Sequence, residues 1–313
     1  MVDAHLPETP LLTFPGLNAM LGCELFLKCE SLQPVGAFKI RGGLNLLSQM
    51  DDAQRARGVV SASTGNHGQS IAYAAGVFGA RAVICVPEGA NETKVAAMRR
   101  LGAEVVFAGA DFDESRAEAG RIAERDGLYF IHSANERLLI AGVATYSLEV
   151  LRDQPDLDVM IVPVGGGSGV CGAILAGKGI KPDLEVFGVQ AAGAPAVADS
   201  WMGRQLLSYD AMSTFAEGMA TRVAFELPAH IMWDRIDGFE LVSDDQIRAA
   251  MVTLMEKAWI VAEGAGAASL AAAVQMGERL RGKKVCCVVS GGNVTRQGLL
   301  DALSAQSAKG VAA

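Results

Sequence analysis

Short apolar runs alternate with longer amphipathic stretches along most of the chain. The runs 81–86, 159–164 and 284–289 are almost entirely apolar, as expected for strands that are buried on both faces of a sheet. The stretches 113–125 and 244–258 carry apolar residues at helical spacing. Strands that alternate with helices predict an α/β fold of parallel sheets covered by helices on both sides.

The length of 313 residues indicates two domains, because a single domain usually has about 100–200 residues. We find no internal repeat and no linker, so we expect two interleaved domains. In open sheets of this type, binding sites form at the carboxyl ends of the strands.

Composition narrows the possible functions. The net charge is −8 and no Lys/Arg block occurs, so we expect no nucleic-acid partner. No apolar run is long enough for a membrane span, and the N-terminus lacks a signal-peptide pattern. The six cysteines form no C-x-x-C pair, which favours a reducing cytoplasm. The spacing of the four histidines does not match that of metal ligands. The stretch after Asn293 is too short for a separate effector-binding domain, so we expect none.

A lysine follows the first predicted strand end. The run 24–30 leads into a loop marked by Pro34 and Gly36, and Phe38 and Lys39 come directly after it. A helix-like run is predicted from Leu44 to Met50. An aromatic neighbour partly desolvates an amine, which disfavours protonation and makes the amine a better nucleophile toward a carbonyl carbon. Most lysines are solvated on the surface, so this stretch by itself leaves both interpretations open.

A second strand end carries a run of small and polar residues, 61–69. Such residues leave backbone N–H groups accessible at the start of the next helix, where the helix dipole favours an anion. Asn66 adds an amide that can donate and accept hydrogen bonds. An ordinary helix start needs only one capping residue, so the longer run predicts an anion-binding loop.

The glycine loop, residues 165–169, follows a third predicted strand and suits a phosphate group. Gly167, Gly169 and Gly172 also match the G-x-G-x-x-G dinucleotide pattern, which keeps a nicotinamide-dependent oxidoreductase open as an alternative. That pattern requires an acidic residue after the next strand, and this strand ends in Gln190. The loop therefore favours a phosphate site without a ribose-binding acid.

Ser290 follows the last strand, where Gly291 and Gly292 leave room for a ligand. Together the chain offers a reactive lysine, a ring-stacking aromatic residue, a phosphate loop, an anion loop and a hydroxyl on an open turn. Nearly all of these groups are needed to bind pyridoxal phosphate, because this cofactor combines an aldehyde, a flat ring, a ring nitrogen and a phosphate.

From residue 9 to residue 293 the sequence resembles the fold-type II pyridoxal-phosphate enzymes, in the branch of threonine/serine dehydratases and serine racemases. The motifs that carry the resemblance are Lys28-Cys29-Glu30, Gln33-Pro34, Gly36-Ala37-Phe38-Lys39, Arg41-Gly42, Gly65-Asn66-His67 and the glycine loop. The resemblance implies two open parallel-sheet α/β domains, with 1–46 and 147–313 forming the large cofactor-binding domain and 47–146 the small inserted one. It also implies a homodimer or a higher homo-oligomer.

The resemblance implies roles for individual residues. Lys39 holds the cofactor as a Schiff base and later acts as the base at the substrate Cα. The other implied cofactor-binding residues are Phe38, Asn66, Gly165, Gly166, Gly167, Ser168, Gly169 and Ser290. The implied substrate-binding residues are Ser63, Thr64, Gly65, Asn66 and His67, which receive the substrate carboxylate.

Several residues depart from the family pattern. Ala37 stands in place of serine, and Ser168 in place of a glycine. Glu217 takes the place of an aspartate that is associated with a divalent cation in part of the family. We therefore assign no metal ligand, and Glu217 is the one candidate. Gly264 replaces a usual proline.

The expected reaction is loss of ammonia from a β-hydroxy amino acid, L-threonine or L-serine, to give a 2-oxo acid. The alternatives within the fold are an amino-acid racemase, a hydroxyaspartate dehydratase or a β-replacement enzyme. A further alternative is a ligand-sensing protein that binds the cofactor but catalyses no reaction. Thr64 bears on racemisation, because related racemases carry a serine there and many dehydratases an alanine. We expect its hydroxyl to be used locally, and dehydration to dominate over racemisation.

Overall fold

The computed structural model describes residues 2–310, apart from the side chains of Asp3 and residues 307–310. The strands are β1 Leu11–Thr13, β2 Glu24–Lys28, β3 Val59–Ala62, β4 Ala82–Val86, β5 Glu104–Phe107, β6 Tyr129–Phe130, β7 Val159–Pro163, β8 Glu185–Ala191, β9 Gly238–Val242 and β10 Lys284–Val288. The helices are α1 Pro15–Leu21, α2 Lys39–Ser48, α3 Asp52–Arg57, α4 Asn66–Phe78, α5 Glu92–Arg100, α6 Phe112–Asp126, α7 Arg137–Val143, α8 Thr145–Asp153, α9 Ser168–Gly172, α10 Lys178–Ile180, α11 Ala196–Gly203, α12 Glu226–Trp233, α13 Asp244–Ala258, α14 Gly264–Met276 and α15 Arg296–Gly310.

The chain forms two compact units, and both are α/β as expected. The first unit holds the chain through Pro7, Gln33–Val35 and Lys39–Val143. The second unit holds Glu8–Leu32, Gly36–Phe38 and the chain from Ala144 onward. The sequence-based limits, 1–46 with 147–313 and 47–146, stay a prediction, and their residues 1 and 311–313 lie outside the described residues.

The first unit is built on a parallel sheet in the order β5-β4-β3-β6. Alternate residues of the central strands face opposite sides. Val59 and Ile84 belong to one apolar cluster, whereas Val60 and Val83 pack with residues of α6. This two-sided burial explains why the strands are apolar throughout.

Helix α2 begins at Lys39, five residues before the helical run that the sequence indicated from Leu44. Its glycines explain the difference. A β-carbon built on Gly42 would lie 2.9 Å from the Leu139 carbonyl oxygen, and one on Gly43 would lie 2.4 Å from Ser70 Oγ. Glycine is a weak helix former, but here it lets α2 pack closely on α4 and α7, and this packing overrides local propensity.

The second unit contains a sheet in the order β1-β2-β10-β7-β8-β9. Strand β1 runs antiparallel to β2, whereas the other strand pairs described for this sheet are parallel. The carboxyl ends of β7, β8 and β10 therefore lie at one edge of the sheet. In the part of the chain that the structure describes, no helix is long and apolar enough to cross a membrane.

Candidate active site

The glycine loop connects β7 to α9 in the second unit. Two of its positions require glycine. The φ angle of Gly167 is +98°, a conformation that L side chains rarely adopt, and a β-carbon on Gly165 would lie 2.2 Å from the Gly218 carbonyl oxygen. Gly167 is the N-cap of α9, so the amides of the first turn extend from the loop without partners inside the helix. The loop has the open backbone and the amides that a phosphate needs.

Phe38 lies beside this loop. A β-carbon on Gly169 would lie 3.3 Å from the Phe38 ring, so a larger residue at 169 would displace the ring. The Phe38 N–H donates a hydrogen bond to the Ser290 carbonyl at 3.0 Å, and Ala37 pairs with Gly291 in an antiparallel bridge. Three sequence-predicted segments, the Phe38 stretch, the glycine loop and the Ser290 turn, thus come together within the second unit.

The Ser290 turn is closely packed from the other side by α14. A β-carbon on Gly266 would lie 2.1 Å from the Gly291 carbonyl oxygen, and the Glu263 N–H donates to the same carbonyl at 3.1 Å. Ser290 itself is buried. The Ser290 hydroxyl, which the resemblance assigns to cofactor binding, is therefore held on a closely packed turn at a strand end.

Lys39, the first residue of α2, belongs to the first unit. Burial lowers the pKa of its ammonium group to about 8. The Ser70 hydroxyl donates to the Lys39 carbonyl at 2.6 Å and ties the start of α2 to α4. Of the two interpretations that the stretch left open, a desolvated amine and a solvated surface lysine, the burial of Lys39 agrees with the first.

Residues 63–67, to which the resemblance assigns substrate binding and which we call the substrate loop, lie at the start of α4 in the same unit. The Ser63 hydroxyl oxygen accepts hydrogen bonds from the N–H groups of Gly65 at 3.1 Å and Gly68 at 2.8 Å. Asn66 is the first residue of α4. Thr64 is half-buried, and its hydroxyl has no hydrogen-bond partner among the residues that the structure describes. The local bonding that we expected from Thr64 is thus supplied by Ser63.

His67 is buried and its ring is fixed by Ser61. The Ser61 hydroxyl donates to the Ile131 carbonyl at 2.7 Å, so it accepts from His67 Nε2 at 2.9 Å. Burial lowers the pKa of His67 well below its usual range, and the charges of Lys39 and His132 lower it further. His67 is therefore a neutral imidazole with its proton on Nε2.

Sequence reasoning missed His132, which follows β6 at the same edge of the sheet. Its Nδ1 accepts hydrogen bonds from the N–H groups of Ala134 and Asn135, both at 3.0 Å. Burial lowers the pKa of His132 to about 4, and the charges of Arg116 and Lys39 add to this effect. His132 is thus a second neutral imidazole whose pKa the charge of Lys39 lowers.

Lys94 was also missed. It lies on α5 and is buried, and a β-carbon built on Gly65 would lie 3.5 Å from its Nζ. The lysine side chain therefore packs directly against the substrate loop. The sequence gives no signal for this contact, because Lys94 and Gly65 are far apart along the chain.

Gln190 ends β8, where a dinucleotide site would carry an acidic residue. Its Oε1 accepts hydrogen bonds from the N–H groups of Val197 at 3.0 Å and Ala198 at 2.8 Å. This side chain therefore caps α11.

Glu217 begins a short 3-10 turn, Glu217–Met219, and is exposed. Within residues 2–310, the structure shows no group of three or more His, Cys, Asp or Glu side chains that could hold a metal ion. We therefore assign no metal ligand, and Glu217 stays an untested candidate.

The profile of a protein family described as "Pyridoxal-phosphate dependent enzyme" matches residues 2–291. The chain belongs to this family. Its cofactor is pyridoxal phosphate, bound through a lysine, and the resemblance drawn from the motifs is confirmed. The dinucleotide alternative is not supported, in agreement with the role of Gln190.

Named relatives cover most of the chain. An "L-threonine ammonia-lyase" from Thermotoga maritima is 39% identical over 278 residues, which are 89% of this chain and 69% of that protein. The processed threonine deaminase isoform 2 from Solanum lycopersicum aligns with a TM-score of 0.93 and 30% identity, covering 97% of this chain and 89% of that one. Maize serine racemase aligns with a TM-score of 0.92 and 31% identity, covering 98% and 95%. These structures confirm the fold-type II architecture.

The residues present fit the cofactor. The glycine loop leaves space that any β-carbon at 165 would fill, and Lys39 offers an amine that is easily deprotonated. Both polar atoms of the buried Gln33 amide, in the motif that leads to Lys39, have no hydrogen-bond partner among the described residues. A buried amide of this kind normally meets a polar group, so its environment also suits a polar ligand.

Proposed function

We propose that this protein is an ammonia-lyase that converts L-threonine or L-serine to a 2-oxo acid and ammonia. The observation that carries the proposal is the buried amine of Lys39, whose pKa is lowered to about 8, in a chain of this family. Relatives at 36–39% identity are named for threonine ammonia-lyase or dehydratase activity, which favours threonine as the substrate.

Lys39 binds the cofactor and removes the proton from the substrate Cα. A lysine with a pKa of about 8 serves as a base near neutral pH, whereas an ordinary lysine is almost fully protonated. When bound, the cofactor supplies an electron-withdrawing ring that stabilises negative charge at Cα. The neutral states of His67 and His132 add no positive charge beside this amine, so they leave it free to accept a proton.

The other predicted residues bind and orient. The glycine loop would hold the phosphate and Phe38 would lie beside the ring. Asn66 and Ser290 would contact the ring's polar atoms. Ser290 is a neutral partner for the ring nitrogen, which suits elimination better than transamination. The substrate loop receives the substrate carboxylate, where the dipole of α4 favours an anion.

The test is a 2-oxo acid assay on the purified holoenzyme with L-threonine, L-serine, 3-hydroxyaspartate and a bulkier β-hydroxy amino acid. We expect 2-oxobutanoate from threonine or pyruvate from serine, with ammonia in equal amount. Lys39→Ala should abolish both products. Turnover of hydroxyaspartate with neither threonine nor serine consumed would overturn the substrate assignment.

Racemisation is the second candidate. The Thr64 hydroxyl has no hydrogen-bond partner among the described residues, so it is available as an acid on one face of the substrate Cα. Because threonine is β-branched, its hydroxyl has few orientations. We propose that dehydration dominates and that racemisation is weak.

We also propose that the protein is a cytoplasmic homodimer. In the second unit, Trp259 is 82% exposed and adopts a left-handed backbone with a φ of +55°. Its ring meets the Phe14 ring edge to face, with 5.9 Å between the ring centroids. Val261, two residues later, is also exposed. A strained and exposed tryptophan is unusual in a monomer and suits a contact with a second copy. Trp259→Glu should shift the mass measured by light scattering from dimer to monomer, and an unchanged mass would contradict this surface.

A further inference from the structure

Tyr146 joins two parts of the cofactor site within the second unit. It lies on α8 and its side chain is fully buried. Its hydroxyl donates a hydrogen bond of 2.8 Å to the Gly169 carbonyl, at the end of the glycine loop. Its ring meets the Phe38 ring edge to face, with 6.4 Å between the centroids. One side chain therefore contacts both the loop and the aromatic residue that precedes Lys39.

The hydroxyl acts on the backbone of the first turn of α9. The Gly169 carbonyl and the Val170 N–H belong to one planar peptide unit and point in opposite directions. Holding the carbonyl toward Tyr146 therefore directs the Val170 N–H toward the N-terminus of α9. With Gly167 as the N-cap, Val170 is the third residue of the helix, so its N–H has no partner inside the helix.

The Gly169 carbonyl lies just before the point at which the α-helical hydrogen-bond pattern of α9 ends. The Gly169 carbonyl also accepts the Ala173 N–H, and directly after it the helix changes to a π-helix, Ala173–Gly177. Helix α8 packs on that π-helix. A carbonyl has two lone pairs, so the tyrosine hydroxyl can bind it in addition to the helical N–H. The second donor stabilises the carbonyl where the regular hydrogen-bond pattern ends.

The Tyr146 hydroxyl is protonated at neutral pH and can therefore donate a hydrogen bond. Burial raises the pKa of Tyr146 above its usual range, and the carboxylate charge of Glu30 raises it further. Glu30 is itself buried and accepts a hydrogen bond from the Thr9 hydroxyl at 2.6 Å.

We propose that Tyr146 is a positioning residue for the cofactor phosphate. Its hydroxyl orients the first turn of α9 so that the Val170 N–H faces the phosphate, and its ring supports Phe38. The inference rests on the proposed function only in assigning the phosphate to the glycine loop.

The experiment is a titration of the apo-protein with pyridoxal phosphate and, separately, with pyridoxal, which lacks the phosphate. Absorbance of the bound cofactor gives Kd without any turnover. Tyr146→Phe keeps the ring and removes the hydroxyl, so we expect the Kd of pyridoxal phosphate to rise about 3- to 10-fold, with that of pyridoxal unchanged. Tyr209→Phe is the matched control, because the Tyr209 hydroxyl bonds Asp199 at 2.6 Å outside this site.

An unchanged Kd for pyridoxal phosphate in Tyr146→Phe would overturn the inference. An equal loss of affinity for both compounds would also overturn it, since that pattern indicates general destabilisation. Tyr146→Leu removes the ring as well and should weaken binding of both compounds, because the support of Phe38 is lost. If the wild type binds the cofactor tightly but deaminates no amino acid, the proposed function fails while this inference stands.

Discussion

The Ser61 hydroxyl lies 2.9 Å from Nε2 of His67, and this contact decides which nitrogen of the buried imidazole carries the proton. Ser61 donates to the Ile131 carbonyl, so His67 must be the donor in the pair. A charged imidazole at this position would be desolvated and close to Lys39. The fold therefore holds a neutral histidine beside Lys39, the lysine that we propose as the base.

The two neutral histidines should make the protein sensitive to acid. The pKa values of His67 and His132 are lowered in the folded chain, to about 4 for His132, so below pH 6.5 the unfolded chain binds more protons. As the pH is lowered below about 6.5, the free energy of unfolding should therefore decrease, by up to about 1.4 kcal/mol per pH unit for each histidine. Urea unfolding of the apo-protein between pH 7.5 and 5 measures this slope.

His132→Asn offers a direct comparison. Its amide oxygen can replace Nδ1 as the acceptor for Ala134 and Asn135 but does not titrate in this range. The slope should become shallower in this variant. Parallel slopes for the two proteins would exclude His132 as a source of the acid sensitivity.

Capture of pyridoxal phosphate should depend on pH with a midpoint near 8. Only the neutral amine attacks an aldehyde, and burial lowers the pKa of Lys39 to about 8. At pH 7 about one Lys39 side chain in ten is neutral, against about one in a few thousand for an ordinary lysine. The rate of capture by the apo-protein should rise through pH 8 and then level off, as measured by stopped-flow absorbance.

Chemical labelling identifies the lysine involved. Borohydride reduction of the holoenzyme and peptide mapping should find the cofactor on Lys39. A label on Lys28 or Lys94, or a capture midpoint near pH 10, would refute the assignment.

Lys94 should contribute to substrate binding. Its ammonium lies against Gly65 in the substrate loop, and a positive charge there favours the substrate carboxylate. Lys94→Met should raise KM for the preferred substrate about 10-fold or more, with a smaller change in kcat, and Lys94→Arg should recover part of the loss. Steady-state kinetics give both constants. Lys181→Met, which removes an ion pair with Asp183, is the control, and an equal effect in both methionine variants would rule out a specific role.

Thr64 should control any racemisation. Incubation of L-serine in deuterated water, with chiral analysis of the remaining serine, should show much faster 2-oxo acid formation than enantiomer exchange. Thr64→Ser should increase exchange, because serine keeps the hydroxyl and removes the methyl that restricts it. Exchange as fast as dehydration, abolished in Thr64→Ala, would make this protein a racemase.

The sequence by itself determined the fold class, the family and the cofactor. These follow from local patterns: apolar strands that alternate with helices, the Phe38-Lys39 pair, and small residues where strands end. A glycine loop or an N-terminal helix turn needs particular residue types at consecutive positions, so the sequence displays it directly. The start of α2 was misplaced, because its glycines pack against Leu139 and Ser70, and such contacts leave no local signal.

Only the tertiary structure decided how the side chains around these motifs are used. It showed that Ser63 caps the loop whereas the Thr64 hydroxyl has no partner among the described residues, that His67 and His132 are neutral, and that Lys94 lies against Gly65. It also placed Tyr146 between Phe38 and Gly169. Burial and hydrogen-bond partners depend on residues that are distant along the chain, and these determine pKa, tautomer and orientation.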